Sequence, residues 1–257
     1  MSIEQAVYCR VTGQGENLVL LHGWGVNSAV WEPVIESLSQ SFRLHLVDLP
    51  GFGRSKGLSE YSLQTMVDAL IDVLPEQAVW CGWSLGGLVA TYASYRYPEK
   101  ISKLIQVCSS VKFVGDAHWC GVESTVFDNF KKGIQADKEK ALMRFIALQA
   151  MGSATARKDT VILRKLLAGT AAADEKALLA GLDILNNSDL REQFGQLTVP
   201  CLSLFGQFDG LLPLQAAAEM HQLLPSSIQK IFKSSAHAPF VSEPEAFTRS
   251  VISFICN

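Results

Sequence analysis

The ten residues Val79-Trp80-Cys81-Gly82-Trp83-Ser84-Leu85-Gly86-Gly87-Leu88 constrain this chain more than any other stretch. A short apolar run leads into G-x-S-x-G, and a helix-compatible run follows from Leu88 to Tyr97. That order predicts a strand, a sharp turn and a helix, with Ser84 at the apex. Gly82 and Gly86 carry no Cβ where a tight elbow brings helix backbone against the turn. The Ser84 hydroxyl can then stand clear of the sheet, near a helix N-terminus. A Gly-rich turn closing an ordinary βα unit would use the same five residues, so the rest of the chain must decide between the two.

Hydrophobic periodicity predicts strands over 4–11, 17–21, 43–47, 78–81, 101–107, 199–205 and 227–232. Between them lie helix patterns. One starts at Asn27 or Ser28 and carries Trp31, Val34, Ile35 and Leu38. A second starts at Ser62, with Leu63, Met66, Val67, Leu70 and Leu74 on its apolar face. Further helices are expected over 85–97 and 244–255. Strands and helices alternating at short spacing imply an α/β fold with a mostly parallel sheet flanked by helices. Residues 111–190 break that pattern: 130–133, 137–151, 154–168 and 174–185 read as helical, with no strand between them. Such a segment is too long for a simple connection. The expectation is a core domain of 1–110 and 191–257, with 111–190 inserted as a helical cap.

At 257 residues, 48% hydrophobic and 18% charged, the chain can build one sizeable core with an insertion. The six cysteines are scattered without a CxxC pair, which suits reduced thiols in the cytoplasm. Met1-Ser2-Ile3-Glu4-Gln5 has neither the basic region nor the apolar run of a signal peptide. No stretch approaches the roughly 20 apolar residues of a membrane span. The five histidines form no metal-binding cluster, so neither a metal nor a cofactor is expected. A net charge of -3 argues against a nucleic-acid-binding surface.

A serine nucleophile needs a base within hydrogen-bond reach and a group that orients the base. On a parallel sheet these arise from loops at the C-terminal ends of different strands. Gly206-Gln207-Phe208-Asp209-Gly210 follows the 199–205 strand, and Ala236-His237-Ala238-Pro239 follows the 227–232 strand. The order Ser84, Asp209, His237 is the one expected for a nucleophile on such an elbow. His22 follows a strand directly and suits loop shaping; His45 lies inside a strand, His118 in the insertion and His221 in a helix. Asp189 is the nearest rival to Asp209, while Asp48 comes too early in the strand order. Charge developing on a substrate carbonyl oxygen needs donors: the N–H of Leu85, just past the nucleophile, and one from the loop after the 17–21 strand, where Trp24 is best placed.

Five segments together resemble the α/β-hydrolase superfamily over essentially the full length: His22-Gly23-Trp24, Asp48-Leu49-Pro50-Gly51-Phe52-Gly53-Arg54-Ser55, Gly82-Trp83-Ser84-Leu85-Gly86, Gly206-Gln207-Phe208-Asp209 and His237-Ala238-Pro239-Phe240. Within it the chain is most similar to the BioH family of biotin-pathway carboxylesterases. That likeness is carried by residues 21–25, 45–55, 82–90 and the Arg-Phe-Ile-Ala-Leu-Gln-Ala-Met-Gly run at 144–152. The resemblance implies hydrolysis of the methyl ester of pimeloyl-acyl carrier protein, releasing methanol. It implies the same catalytic residues, Ser84, Asp209 and His237, and oxyanion donors at Trp24 and Leu85. Substrate would lie along Phe145, Ile146, Ala147, Leu148 and Gln149. Lys140, Arg144 and Arg157 would receive the acidic acyl carrier protein. A fourth basic position of the family falls on Val161, a departure for which Arg164 or Lys165 can compensate. A monomer is expected.

The charges agree without help from the resemblance. Residues 131–165 hold nine Lys or Arg against three Asp or Glu, a balance of +6 inside a chain of net -3. A concentrated basic patch favours an acidic macromolecular partner, though charge runs on helices are often merely solvated faces. The patch lacks the interleaved aromatics of a nucleic-acid site. Two rival functions stay open: a broader short-chain esterase or carbon–carbon hydrolase on the same three residues, and a catalytically silent binding module. An elbow bearing serine disfavours the aspartate-nucleophile dehalogenases and epoxide hydrolases.

Overall fold

The computed structural model of the chain describes residues 6–257. Seven strands form one sheet in the order β1-β3-β2-β4-β5-β6-β7. They are β1 (Cys9–Thr12), β2 (Glu16–Leu21), β3 (Phe42–Val47), β4 (Ala78–Trp83), β5 (Ile101–Val107), β6 (Cys201–Gly206) and β7 (Ile228–Phe232). Only β1 runs antiparallel to its neighbour, β3; the other pairs are parallel. The near-continuous apolar runs of β2, β4 and β6 reflect a sheet covered on both faces. Alternation along β2 sends Val19 and Leu21 into one core and Leu18 and Leu20 into the other.

Helices α1 (Glu32–Ser39), α2 (Leu63–Ile71) and α3 (Leu85–Arg96) fill the crossovers of the first half. A 3-10 turn over Ser28–Trp31 precedes α1, and the Asn27 side chain accepts from Ala29 N at its start. Ser62 caps α2 as expected, with Thr65 completing a reciprocal capping box. Helices α4 (Ser124–Ala136), α5 (Lys138–Ala150), α6 (Ala156–Leu167), α7 (Glu175–Asn187) and α8 (Arg191–Gly195) separate β5 from β6. Helix α9 (Gln215–Leu223) joins β6 to β7, and α10 (Pro239–Ser242) and α11 (Pro244–Cys256) end the chain. The inserted helices form a cap region, within which α4 packs on α5 and α7, and α5 on α6. At its base Leu190 N donates to Val111 O at 2.8 Å. Beside them, Lys112 and Arg191 form a four-membered ion-pair network with Asp116 and Asp189. Among the described residues no helix is long and apolar enough to cross a membrane.

Several elements differ from the periodicity expectations. The opening strand forms only over Cys9–Thr12, where Cys9 pairs with Val47; positions 4 and 5 lie outside the described residues. β4 runs two residues further than expected, because Gly82 and Trp83 pair with Gln106 and Val107 despite glycine's poor strand propensity. Helix α4 extends over 13 residues where 130–133 was expected. It buries only Phe127 and Ile134, too thin an apolar stripe to be read among polar residues. Helices α8 and α10 are too short to show a period at all.

Candidate active site

The elbow is built as its glycines require. A Cβ on Gly82 would lie 2.2 Å from Gly86 O, and one on Gly86 would lie 2.5 Å from both Leu21 O and His22 O. Ser84 itself is held at φ 54, ψ -116, in the sparsely allowed positive-φ region that costs an L-residue on the order of 1–3 kcal/mol. Backbone and side chain hold it from both directions: Ser84 N donates to Val107 O at 3.0 Å, and Ser109 Oγ donates to Ser84 O at 2.8 Å. The residue is 4% exposed and sits at the N-terminus of α3.

Asp209 and His237 leave the C-terminal ends of β6 and β7, the edge on which Ser84 emerges. Asp209 Oδ1 accepts from Leu211 N and Leu212 N at 2.9 and 3.0 Å, while Oδ2 lies 2.7 Å from His237 Nδ1. A carboxylate can only accept in this contact, so Nδ1 carries a proton, and in the neutral ring Nε2 presents its lone pair. His237 Nε2 is buried and has no hydrogen-bond partner among the described residues. The ring is held by its backbone, with His237 N donating to Gln149 O at 3.0 Å and His237 O accepting from Trp83 Nε1 at 2.7 Å. Trp83, the neighbour of Ser84 on the elbow, is therefore tied directly to the loop bearing His237.

Cys108, at the end of β5, is a neighbour that sequence reasoning left aside. It adopts φ 43, is fully buried, and donates weakly to Ala236 O at 3.7 Å. Cys108, Asp209 and His237 bring one ligand atom each within 4.8 Å of one another. Burial, reinforced by the Asp209 charge, holds the thiol well above its ordinary pKa. With its thiol protonated and turned to Ala236 O, Cys108 packs beside the hydrogen-bonded pair of Asp209 and His237. The rival candidates are occupied elsewhere. Asp189 pairs with Arg191 and Lys112, and Asp48 accepts from Ser28 N and Arg54 N at 2.8 and 2.9 Å. His45 Nε2 meets Asn17 Oδ1 at 2.9 Å, and His118 and His221 are exposed.

Leu85 is the first residue of α3, so its N–H has no intrahelical acceptor. Trp24 follows β2, and its backbone N–H also has no acceptor among the described residues. The Trp24 side chain reaches into the cap. Its Nε1 donates to Leu178 O at 2.8 Å, and its ring meets Phe145 edge-on at 4.7 Å and Phe130 at 6.1 Å. Of the expected substrate segment on α5, Phe145, Ile146 and Gln149 are buried, and Ala147 and Leu148 partly so. Gln149 Oε1 is buried without a partner among the described residues. Leu148 lines a cavity of about 480 Å³ between α4 and α5, together with Phe130, Ala141, Lys140 and Arg144. Lys140, Arg144 and Arg157 are exposed, and none has an ion-pair partner among the described residues.

Comparison with known proteins gives the family and the fold. The α/β hydrolase fold family matches residues 16–244. The pimeloyl-[acyl-carrier protein] methyl ester esterase of Vibrio vulnificus (strain CMCP6) is 45% identical over 248 residues, covering 96% of this chain and 97% of that protein. The protein of the same name from Vibrio cholerae is 43% identical over 97% of this chain and 98% of its own length. Among solved structures, an esterase from Exiguobacterium antarcticum superposes with a TM-score of 0.87 at 24% identity, covering 98% of this chain and 96% of that one. The enol-lactonase from Burkholderia xenovorans LB400 superposes at 0.86 with 20% identity, over 98% and 96%. At such identities these likenesses concern the fold alone.

Proposed function

The chain belongs to the pimeloyl-[acyl-carrier protein] methyl ester esterase family of α/β-hydrolases, and on that premise we propose that it hydrolyses the methyl ester of a pimeloyl group carried by acyl carrier protein. Esterase chemistry is what the family and fold bring; the carrier-bound substrate is the finer reading. The observation that carries it is the pair Lys140 and Arg144, exposed, lacking ion-pair partners among the described residues, and lining a cavity with an apolar floor. Two exposed cations over an apolar floor, with Asp137 as the acidic residue of the same lining, suit a hydrocarbon acyl group on an acidic protein. Lys140 and Arg144 stand four residues apart on α5, hence on one face, and Arg157 is carried by α6, which packs on α5.

In the proposed reaction Ser84 Oγ attacks the ester carbonyl while His237 Nε2 takes its proton. Asp209 accepts from Nδ1–H and stabilises the imidazolium. The N–H groups of Trp24 and Leu85 receive the developing oxyanion. Collapse of the tetrahedral intermediate breaks the bond to the methoxy oxygen, which takes the proton back from His237 and leaves as methanol. Water, deprotonated by the same nitrogen, then attacks the acyl-serine. The carboxylate product departs on its carrier and Ser84 recovers its proton.

The test compares kcat/KM for the carrier-bound methyl ester and for a small butyrate ester, in wild type and a Lys140→Ala/Arg144→Ala/Arg157→Ala variant. The expected result is a raised KM and a weaker salt dependence on the carrier-bound ester, with the small ester hydrolysed almost as before. Equal losses on both would assign the cations to the fold of the cap. Hydrolysis of free esters with none of the carrier-bound one would leave a general short-chain esterase.

A further inference from the structure

His22 lies outside the proposed catalytic trio, yet it is fully buried immediately after β2, at the root of the loop that carries Trp24. Its two ring nitrogens have different partners. Leu49 N donates to His22 Nε2 at 2.9 Å, and His22 Nδ1 lies 2.7 Å from Gly23 O. A backbone N–H can only donate, so Nε2 must be bare. In a neutral imidazole Nδ1 then carries the proton and donates it to Gly23 O. The ring is set edge-to-face against Phe52, 5.6 Å between centroids. Burial also pulls its pKa down, against the opposing Asp48 charge, which favours the neutral form.

Gly23 O and Trp24 N–H belong to one peptide plane, and in a trans peptide they point in opposite directions. Holding the oxygen therefore aims the N–H. This peptide lies against the nucleophile, since a Cβ on Gly23 would fall 3.3 Å from Ser84 Cβ. Trp24 stands between Gly23 and Gly25, the two residues least able to resist a peptide flip on their own. We infer that His22 is a positioning residue for the oxyanion hole: its Nδ1–H, with the ring anchored by Leu49 N–H at Nε2, locks the Gly23–Trp24 peptide so that the Trp24 N–H faces the oxygen of the tetrahedral intermediate. The inference rests on the reading of Trp24 as an oxyanion donor.

The two bonds can be separated by substitution. The Asn amide nitrogen sits where Nδ1 does and can still donate to Gly23 O. The Gln amide reaches the position of Nε2 and can still accept from Leu49 N–H, but leaves Gly23 O free. With 4-nitrophenyl butyrate and the full chain, His22→Asn is expected to keep kcat within about tenfold of wild type. His22→Gln and His22→Ala are expected to lose about 100-fold in kcat at unchanged KM, the lower end of the effect of removing one oxyanion donor. Affinity for an aryl boronic acid, whose tetrahedral adduct fills the hole, should fall in parallel. The inference is overturned if the Asn variant falls as far as the other two, if all three keep kcat, or if the loss lies in KM. Should the Ala variant not fold, the Asn and Gln pair decides. In wild type, ¹⁵N shifts of labelled histidine must show His22 protonated at Nδ1 alone, and a protonated Nε2 overturns the inference without any variant. A Ser84→Ala control that stayed active would instead remove the underlying catalytic reading.

Discussion

The contact between the cap and the loop bearing Trp24, the proposed oxyanion donor, can be tested at Gly181 on α7. A Cβ added there would lie 2.7 Å from Trp24 Cδ1 and 3.2 Å from Trp24 Nε1. Ordinary contact begins at 3.4 Å, so the indole or the helix must yield by about 0.7 Å. Phe145 packs edge-on against the indole and Leu178 O holds its nitrogen, so little of that shift can be absorbed by a ring rotation. In Gly181→Ala the helix gains about 1 kcal/mol of propensity, while overpacking costs about 1–3 kcal/mol. Net destabilisation is thus between about zero and 2 kcal/mol, a fall in Tm of at most roughly 8 °C for a chain of this size. Activity should suffer more, because a misplacement near 1 Å can cost about 100-fold. The expected outcome is a 10- to 100-fold loss of kcat on 4-nitrophenyl butyrate, with KM little changed and the fold intact by circular dichroism. A variant with a lowered Tm and wild-type kcat would refute the argument, since the Trp24 peptide would then be indifferent to its own side chain.

Asp209→Asn should lower kcat by about 10⁴-fold, since an amide in that place favours the wrong imidazole tautomer; steady-state turnover of an activated ester checks it. In native protein iodoacetamide should modify the exposed Cys256 first. Cys201, pushed up to about 12 by burial, and the buried Cys81 and Cys108, both raised, should react only after denaturation, as peptide mass spectrometry would show. Asp116 is lowered to about 2 by its hydrogen bonds from Lys112 and His118 N. A carboxylate depressed on folding stabilises the protein fully above its unfolded pKa, near 4, and that contribution is lost as pH falls through about 2. Wild type should therefore lose Tm between about pH 4 and pH 2 more steeply than Asp116→Asn; parallel Tm curves would show that the cap-base network contributes nothing.

Much of the core was legible because its signals are local. Apolar runs of strand length, the two glycines around Ser84 and the turn-rich loops after β6 and β7 each reflect a constraint acting within a few residues. Ser84, Asp209 and His237 could be placed at one sheet edge because a parallel sheet delivers the loops after its strands there, and Asp209 meets His237 at that edge. Elsewhere the same approach weakened. The stripe of α4 in the cap is thin, and α8 and α10, of five and four residues, barely exceed one turn, so their helicity rests on tertiary packing.

Sequence by itself determined which residue types stand at the strand ends and where the cations concentrate, since both follow from order along the chain. Tertiary structure alone decided which atoms meet. Nothing local requires Leu49 N–H to meet His22 across 27 positions, Trp24 to enter the cap and bond Leu178 O across 154, or Cys108 to lie beside Asp209 and His237. Such contacts arise from the register of separate strands and the seating of one helix layer on another. The hydrophobic pattern specifies which face of an element is buried, and only close packing of the whole chain specifies what that face touches.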